Sequence, residues 1–389
     1  MYKKNHTKIG VIMKKIKVMT VFGTRPEAIK MAPLVKKLES DSRFELVVCV
    51  TAQHREMLDS VLDIFHIKPD YDLNIMAHGQ TIIDISNKVL KGVDEVIKKC
   101  NPHIVLVHGD TSTTLSAALA SFYNKVPVGH VEAGLRTFDL YSPFPEEANR
   151  KLTGVVAALH FAPTDTNKCN LLNDGVSKDK IFVTGNTVID ALKSVVDEKY
   201  LFEENSLNNI DYKGKKVILL TAHRRENWGE PMNNIFSAVC ELIKFNEEVE
   251  VIFPMHMNPS IREKAHKYFD EYGDRVHLIE PLEYVEFANL MSKVYLIMSD
   301  SGGIQEEAPA LGKPVIVLRT ETERPEAIEA GTVKLGGIEK ENIFNVVSEL
   351  IKDKQAYEKM CKCSNPYGDG KACVSIVTEI YNYFNNMEV

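Results

Sequence analysis

A chain of 389 residues with 44% hydrophobic composition exceeds what one core usually organises, so two domains are expected. A net charge of −7 argues against nucleic acid or an anionic membrane as partner, since broad basic fields hold those; it leaves a small anion gripped locally by Arg25, Lys30, Arg224, Arg225 or Arg324. Seven cysteines without framework spacing suit a reducing cytoplasm, Cys361 and Cys363 lack the partner pair a metal site needs, and no apolar run approaches the roughly 18 residues of a membrane helix.

Residues 1–12 read as an extension whose apolar stretch is too short for a signal peptide. From residue 15 onward, short β-branched runs alternate with longer amphipathic stretches, the pattern of parallel strands joined by crossover helices. The first strand is expected over 15–22, followed by the turn Gly23-Thr24-Arg25 and by Pro26, which suits the first turn of a helix ending near residue 39. Strands are expected next over 44–50, 103–107 and 127–131, and a helix over 186–196. The Asn-rich stretch 198–215 reads as the connection between domains. A second series of strands then covers 216–220, 250–253, 276–279, 294–298 and 314–318, and a last helix spans 371–387.

In open α/β sheets ligands bind at the carboxyl ends of the strands, which here are polar. In the first series these ends carry Gly23-Thr24-Arg25, His108-Gly109-Asp110 and Glu132-Ala133-Gly134; in the second they carry His223-Arg224-Arg225, His256 and Ser301-Gly302-Gly303. The stretch SDSGGIQEE (299–307) follows a strand and opens a helix expected over 304–311, so unpaired N–H groups and the positive helix end converge where glycines let a phosphate approach. Glu307 lies one turn deeper, where a carboxylate can accept ribose hydroxyls. The other phosphate-binding signatures, G-x-x-x-x-G-K-[ST] and a G-x-G-x-x-G after the first strand, are missing from the sequence.

Asp110, Glu132 and Glu146 fall at strand ends or in the loop after Glu132, and three carboxylates near one site invite acid–base chemistry, with desolvation and mutual repulsion raising some of their pKa values. Plainer duties fit the same residues: Asp110 as a helix N-cap, Glu146 as a first-turn helical acid, Thr24 to Glu27 as a helix cap with a solvated arginine, and His256 as a core histidine.

The stretches VFGTRPEAIKMAPL, VTAQHREML, VHGDTSTT, GHVEAGLRT, PFPEEANR, TGNTVIDAL, TAHRRENWG, SDSGGIQEEAP and LRTETERPEA, in colinear order, resemble the non-hydrolysing UDP-N-acetylglucosamine 2-epimerases. The resemblance implies an α/β fold of two Rossmann-like domains in a GT-B arrangement with an inter-domain active-site cleft, divided as 1–186 plus 371–389 and 187–370, the last helix returning to the first domain. It implies epimerisation at C2 by anti elimination of UDP to 2-acetamidoglucal and re-addition, without cofactor or metal, in a cytoplasmic homodimer that supplies N-acetylmannosamine units for surface polysaccharide. By the same resemblance Asp110, Glu132, Glu146 and His223 are catalytic, and Arg25, Lys30, Leu282, Phe287, Ser301, Gly302, Gly303, Glu307 and Arg324 hold the UDP-sugar. Gln53, Gln80, Glu146, Arg224 and His256 match an activating site for a second UDP-N-acetylglucosamine. The competing readings are a GT-B glycosyltransferase, a hydrolysing epimerase and a sugar-nucleotide-binding regulator.

Overall fold

A computed structural model describes residues 15–52 and 55–386, so the extension expected at 1–12 and Gln53 lie outside the described residues. The chain divides into two compact units, the first ending at Thr187 and regaining the chain from Ala372, the second being Val188–Lys371.

In the first unit seven strands, β1 (Ile16–Phe22), β2 (Phe44–Val50), β3 (Tyr71–Asp72), β4 (Ile104–His108), β5 (Val128–Val131), β6 (Leu159–Ala162) and β7 (Ile181–Val183), form one sheet in the order β3-β2-β1-β4-β5-β6-β7. All pairs are parallel. Val18, Met19, Val21 and Phe22 are wholly buried, as a strand covered on both faces requires, and this is why β1 reads as an almost unbroken apolar run. The second unit repeats the plan with β8 (Lys216–Thr221), β9 (Val249–Pro254), β10 (Val276–Ile279), β11 (Leu296–Ser299), β12 (Val315–Val317) and β13 (Val333–Leu335), in the order β10-β9-β8-β11-β12-β13. Each unit thus has the Rossmann order, in which strand direction of travel reverses beside the first strand: between β1 and β4, and between β8 and β11. The carboxyl ends of those four strands are where a ligand is expected.

The terminal helix Ala372–Asn385 packs in the first unit, with Tyr381 beneath the guanidinium of Arg43 at 4.4 Å and Phe384 edge-on to His103 at 6.1 Å. The stretch 198–215 is not a free connection. Phe202 and Leu207 are buried in the core of the second unit against Val188, Ile189 and Leu192, and Asn208 closes the segment by bonding both the N–H and the carbonyl of Phe202. Two apolar anchors inside an Asn-rich run are enough to dock it, which average composition conceals. Among the described residues no helix is long and apolar enough to cross a membrane.

Candidate active site

In the first unit the turn after β1 is built by its own sequence. Thr24 caps the helix Arg25–Glu39 in a capping box with Glu27, as expected from Thr24 to Glu27. Glu27 does more than cap, because its Oε2 accepts from the N–H groups of Gly23 (3.1 Å) and Thr24 (2.8 Å) while Oε1 accepts from the hydroxyls of Thr111 (2.7 Å) and Thr114 (3.2 Å). One buried carboxylate therefore ties the end of β1 to the end of β4. A side chain at Gly23 would strike the Thr51 hydroxyl at 1.8 Å, so the close approach needs glycine. Arg25 is half-buried on this turn.

Asp110 follows β4 and is not a helix cap; Thr111 takes that position for the helix Ser112–Tyr123. The Asp110 carboxylate is instead held by Arg150, with Nε at 2.9 Å and Nη2 at 2.7 Å, and its carbonyl accepts from Asn149 Nδ2 at 2.8 Å. Arg150 also reaches Glu147 at 3.1 Å, which accepts from the N–H groups of Thr137 and Phe138 and so anchors the loop between Glu132 and Glu146. Beneath the turn lies His130, whose Nε2 donates to the Gly109 carbonyl at 2.7 Å; burial first, against the favourable carbonyl bond, pushes its pKa down to about 3, so the ring is neutral.

Glu132 sits at the end of β5 with φ of +60°, a left-handed conformation that a non-glycine residue keeps only where its surroundings hold it. Its carboxylate receives Lys30 Nζ and Asn186 Nδ2 (3.1 Å), with His108 Nε2 at 3.4 Å. Burial would raise its pKa, but the charges of Lys30 and His108 and their hydrogen bonds outweigh it and hold the group well below the usual carboxylate range. The repulsion expected to raise pKa values among the acids does not decide the matter at Glu132, where the Lys30 ammonium stands against the carboxylate. Glu146 opens the helix Glu146–Val156, half-buried, with no hydrogen-bonded partner among the described residues.

In the second unit the helix Gly302–Ala310 starts two residues before the expected point. Ser301 occupies its cap without bonding back to the helix, so its hydroxyl and the first N–H groups are not consumed by capping. The strand ends beneath are locked: Thr221 and Ser299 share a hydroxyl bond of 2.7 Å, and Ser299 Oγ accepts the N–H of Ser301 at 3.0 Å. Glu307 Oε1 lies 3.4 Å from where a Gly303 Cβ would be, and Arg224 Nη2 lies 3.8 Å from that of Gly302. Arg224, expected at an activating site, thus stands at the same turn. Arg324 Nε is paired with the buried Glu306, and Leu282 and Phe287 pack half-buried on the core beside Ile304. His223 is held by Asp300, whose carboxylate lies 3.0 Å from its Nδ1. His256 is exposed, not a core residue, and Gln80 accepts from Lys88 at 3.3 Å.

Residues to which sequence reasoning gave no role include Arg150 and Asn186 around the acids, His108, which it noted only as part of a strand end, and Asp300 and Tyr284 in the second unit. Asp300 stood in plain view inside SDSGG. The Tyr284 hydroxyl is buried without a hydrogen-bond partner, and burial together with the Glu307 charge pushes its pKa well up. Neutral and unsatisfied, it borders the same turn.

Carboxylates after the strands of one Rossmann unit and a helix start without a side-chain cap in the other are compatible with a sugar-nucleotide enzyme. Comparison with known proteins is consistent with this. A family profile described as UDP-N-acetylglucosamine 2-epimerase matches residues 36–381. The chain is 57% identical over 373 residues to the UDP-N-acetylglucosamine 2-epimerase of Bacillus subtilis, covering 96% of this chain and 97% of that one, and 52% identical to that of Escherichia coli K12, covering 94% and 99%. It superposes on the Neisseria meningitidis UDP-GlcNAc 2-epimerase bound to UDP-GlcNAc with a TM-score of 0.88 at 50% identity, covering 94% of this chain and all of that one. With its Rossmann units, its acids and its uncapped glycine turn, the chain belongs to the UDP-N-acetylglucosamine 2-epimerase family of isomerases.

Proposed function

We propose that this protein interconverts UDP-N-acetylglucosamine and UDP-N-acetylmannosamine, with the Ser301-Gly302-Gly303 turn of the second unit serving UDP and the acids Asp110, Glu132 and Glu146 serving C2. The observation that carries the proposal is the pairing, in one chain, of an ionised, cation-caged Glu132 with an uncapped Ser301-Gly302-Gly303 helix start.

The C2 hydrogen has no adjacent carbonyl to acidify it, so its removal must be coupled to loss of UDP. One carboxylate takes the C2 proton while the C1–O bond to UDP breaks, its electron pair leaving with the diphosphate and a C1–C2 double bond forming in 2-acetamidoglucal. An acid on the other face then returns a proton to C2 as a UDP oxygen re-adds at C1. Asp110, Glu132 and Glu146 supply these proton transfers; the charge on Glu132 suits acceptance rather than donation. His223 stabilises the departing diphosphate. Ser301, Gly302, Gly303 and Glu307 hold UDP for re-addition, with Arg324 nearby, Leu282 and Phe287 toward the uracil, and Arg25 and Lys30 serving the first unit's side of the substrate.

The proposal includes a cytoplasmic homodimer, a role in supplying N-acetylmannosamine units for surface polysaccharide, and activation by a second UDP-N-acetylglucosamine through Gln53, Gln80, Glu146, Arg224 and His256. A normal initial rate from UDP-N-acetylmannosamine wholly free of its epimer would remove the activation. Product analysis tests the reaction: the account expects both UDP-sugars at equilibrium and UDP-bound sugar conserved. Stoichiometric free UDP would mark a hydrolase, and turnover only with an acceptor sugar would mark a transferase.

A further inference from the structure

Asp300 is fully buried just after β11, and its two carboxylate oxygens have different duties. Oδ2 accepts from the backbone N–H of His223 (2.9 Å), the N–H of Arg224 (2.9 Å) and Nδ2 of Asn227 (3.0 Å), so this one oxygen fixes the turn after β8. Oδ1 takes none of these donors and is buried with no formed hydrogen bond among the described residues; Nδ1 of His223 lies beside it at 3.0 Å, within ion-pair distance. Burial would raise the Asp300 pKa, but the His223 ring and the two backbone N–H groups hold it below the usual range, so the group is an anion. A buried anionic oxygen is costly unless a charged or hydrogen-bonding partner answers it. The His223 side chain is 47% exposed, so the ring is open to a ligand while Nδ1 faces the buried Oδ1.

We infer that Asp300 is a positioning residue that keeps a proton on His223 Nδ1 and supplies the counter-charge for an imidazolium, so that Nε2 meets the phosphates of a nucleoside diphosphate as a charge-assisted donor. The inference rests on the reading that the second unit holds UDP. It explains why the carboxylate spends only one oxygen on the turn: the other sets the ionic form and orientation of the ring.

Asp300→Asn separates these duties because it is nearly isosteric. The amide oxygen can keep the three donors of Oδ2, while an amide N–H replaces Oδ1 and turns Nδ1 of His223 into an acceptor. UDP affinity, measured by calorimetry on the full chain, should fall roughly ten- to hundredfold, the worth of a charge-assisted hydrogen bond. Uridine, which has no phosphate, should bind as to wild type. His223→Gln should lose as much UDP affinity, and adding Asp300→Asn to it should cost nothing further. The 15N signal of His223 Nδ1 should be that of a protonated nitrogen in the free wild type and of an unprotonated one in Asp300→Asn.

Equal weakening of UDP and uridine, additive losses in the double variant, unchanged UDP affinity in Asp300→Asn, or an unprotonated Nδ1 in the free wild type would each overturn the dyad. Failure of the functional reading looks different: the wild type itself would not bind UDP, although the Nδ1 signal still reported the proton. That result would overturn the ligand assigned to the dyad.

Discussion

Replacing Glu132 by Gln separates the charge of this residue from its shape. The amide can still accept from Asn186, but the Lys30 ammonium, whose side chain is only 20% exposed, then faces a neutral amide in place of the Glu132 carboxylate. Removing one partner of a buried pair costs about 3–5 kcal/mol, and the partial exposure of Lys30 places this case at about 3 kcal/mol. The folded carboxylate is held below its ordinary value of 4.5, so its contribution is complete above that pH and is lost as pH falls through the folded value. The stability gap between wild type and Glu132→Gln should therefore be full at neutral pH and shrink in acid, as urea unfolding can show. C2 exchange should fall by about 10²–10⁴, the usual worth of a general base, while UDP affinity stays within about twofold. A variant within about 0.5 kcal/mol of wild type at neutral pH, exchanging C2 hydrogen at the wild-type rate, would refute both the cage and the role.

Other expectations are independent of that one. Burial holds His130 neutral with a pKa near 3, so the unfolded chain binds a proton below about 6.5 that the folded chain refuses; wild-type stability should drop by about 1.36 kcal/mol per pH unit in that window on this account. His130→Asn, which keeps a donor for the Gly109 carbonyl, should show a shallower acid slope, and parallel slopes would contradict the assignment. Arg150→Ala should slow C2 exchange at least about tenfold by freeing Asp110, and Arg150→Lys should recover little because a point charge cannot serve both Asp110 and Glu147. Ser301→Ala and Glu307→Ala should release more UDP and 2-acetamidoglucal during turnover than wild type; equal release on chromatography would count against a retaining role for the turn. Phe202→Ala should destabilise the second unit by about 3–5 kcal/mol, whereas an unchanged melting curve would return 198–215 to the status of a connection.

The strands at the centre of each sheet were legible because burial on both faces leaves apolar runs bounded by polar ends, whereas the short β3, β6, β7 and β13 were not expected; the switch points of both sheets carry the polar motifs singled out from the sequence. The turn at Ser301 was legible for a local reason, a strand, two glycines and a helix in succession. What escaped was long-range. Lys30 reaches Glu132 across 102 residues and reverses the expected pKa argument there, and Asp300 clamps His223 across 77 residues. No spacing in the sequence encodes such contacts; they follow from strand order. Phe202 and Leu207 were hidden by their polar neighbours, and the pairing of Arg150 with Asp110 spans 40 residues that carry no spacing signal.

The central claim is that carboxylates of this chain exchange the hydrogen at C2 of a UDP-sugar while UDP leaves and returns. Proton NMR of UDP-N-acetylglucosamine incubated with the purified protein in heavy water tests it most directly. The account predicts loss of the C2 proton signal, with deuterium at C2 in both recovered UDP-sugars; recovery of UDP-sugar with its C2 hydrogen intact would contradict it.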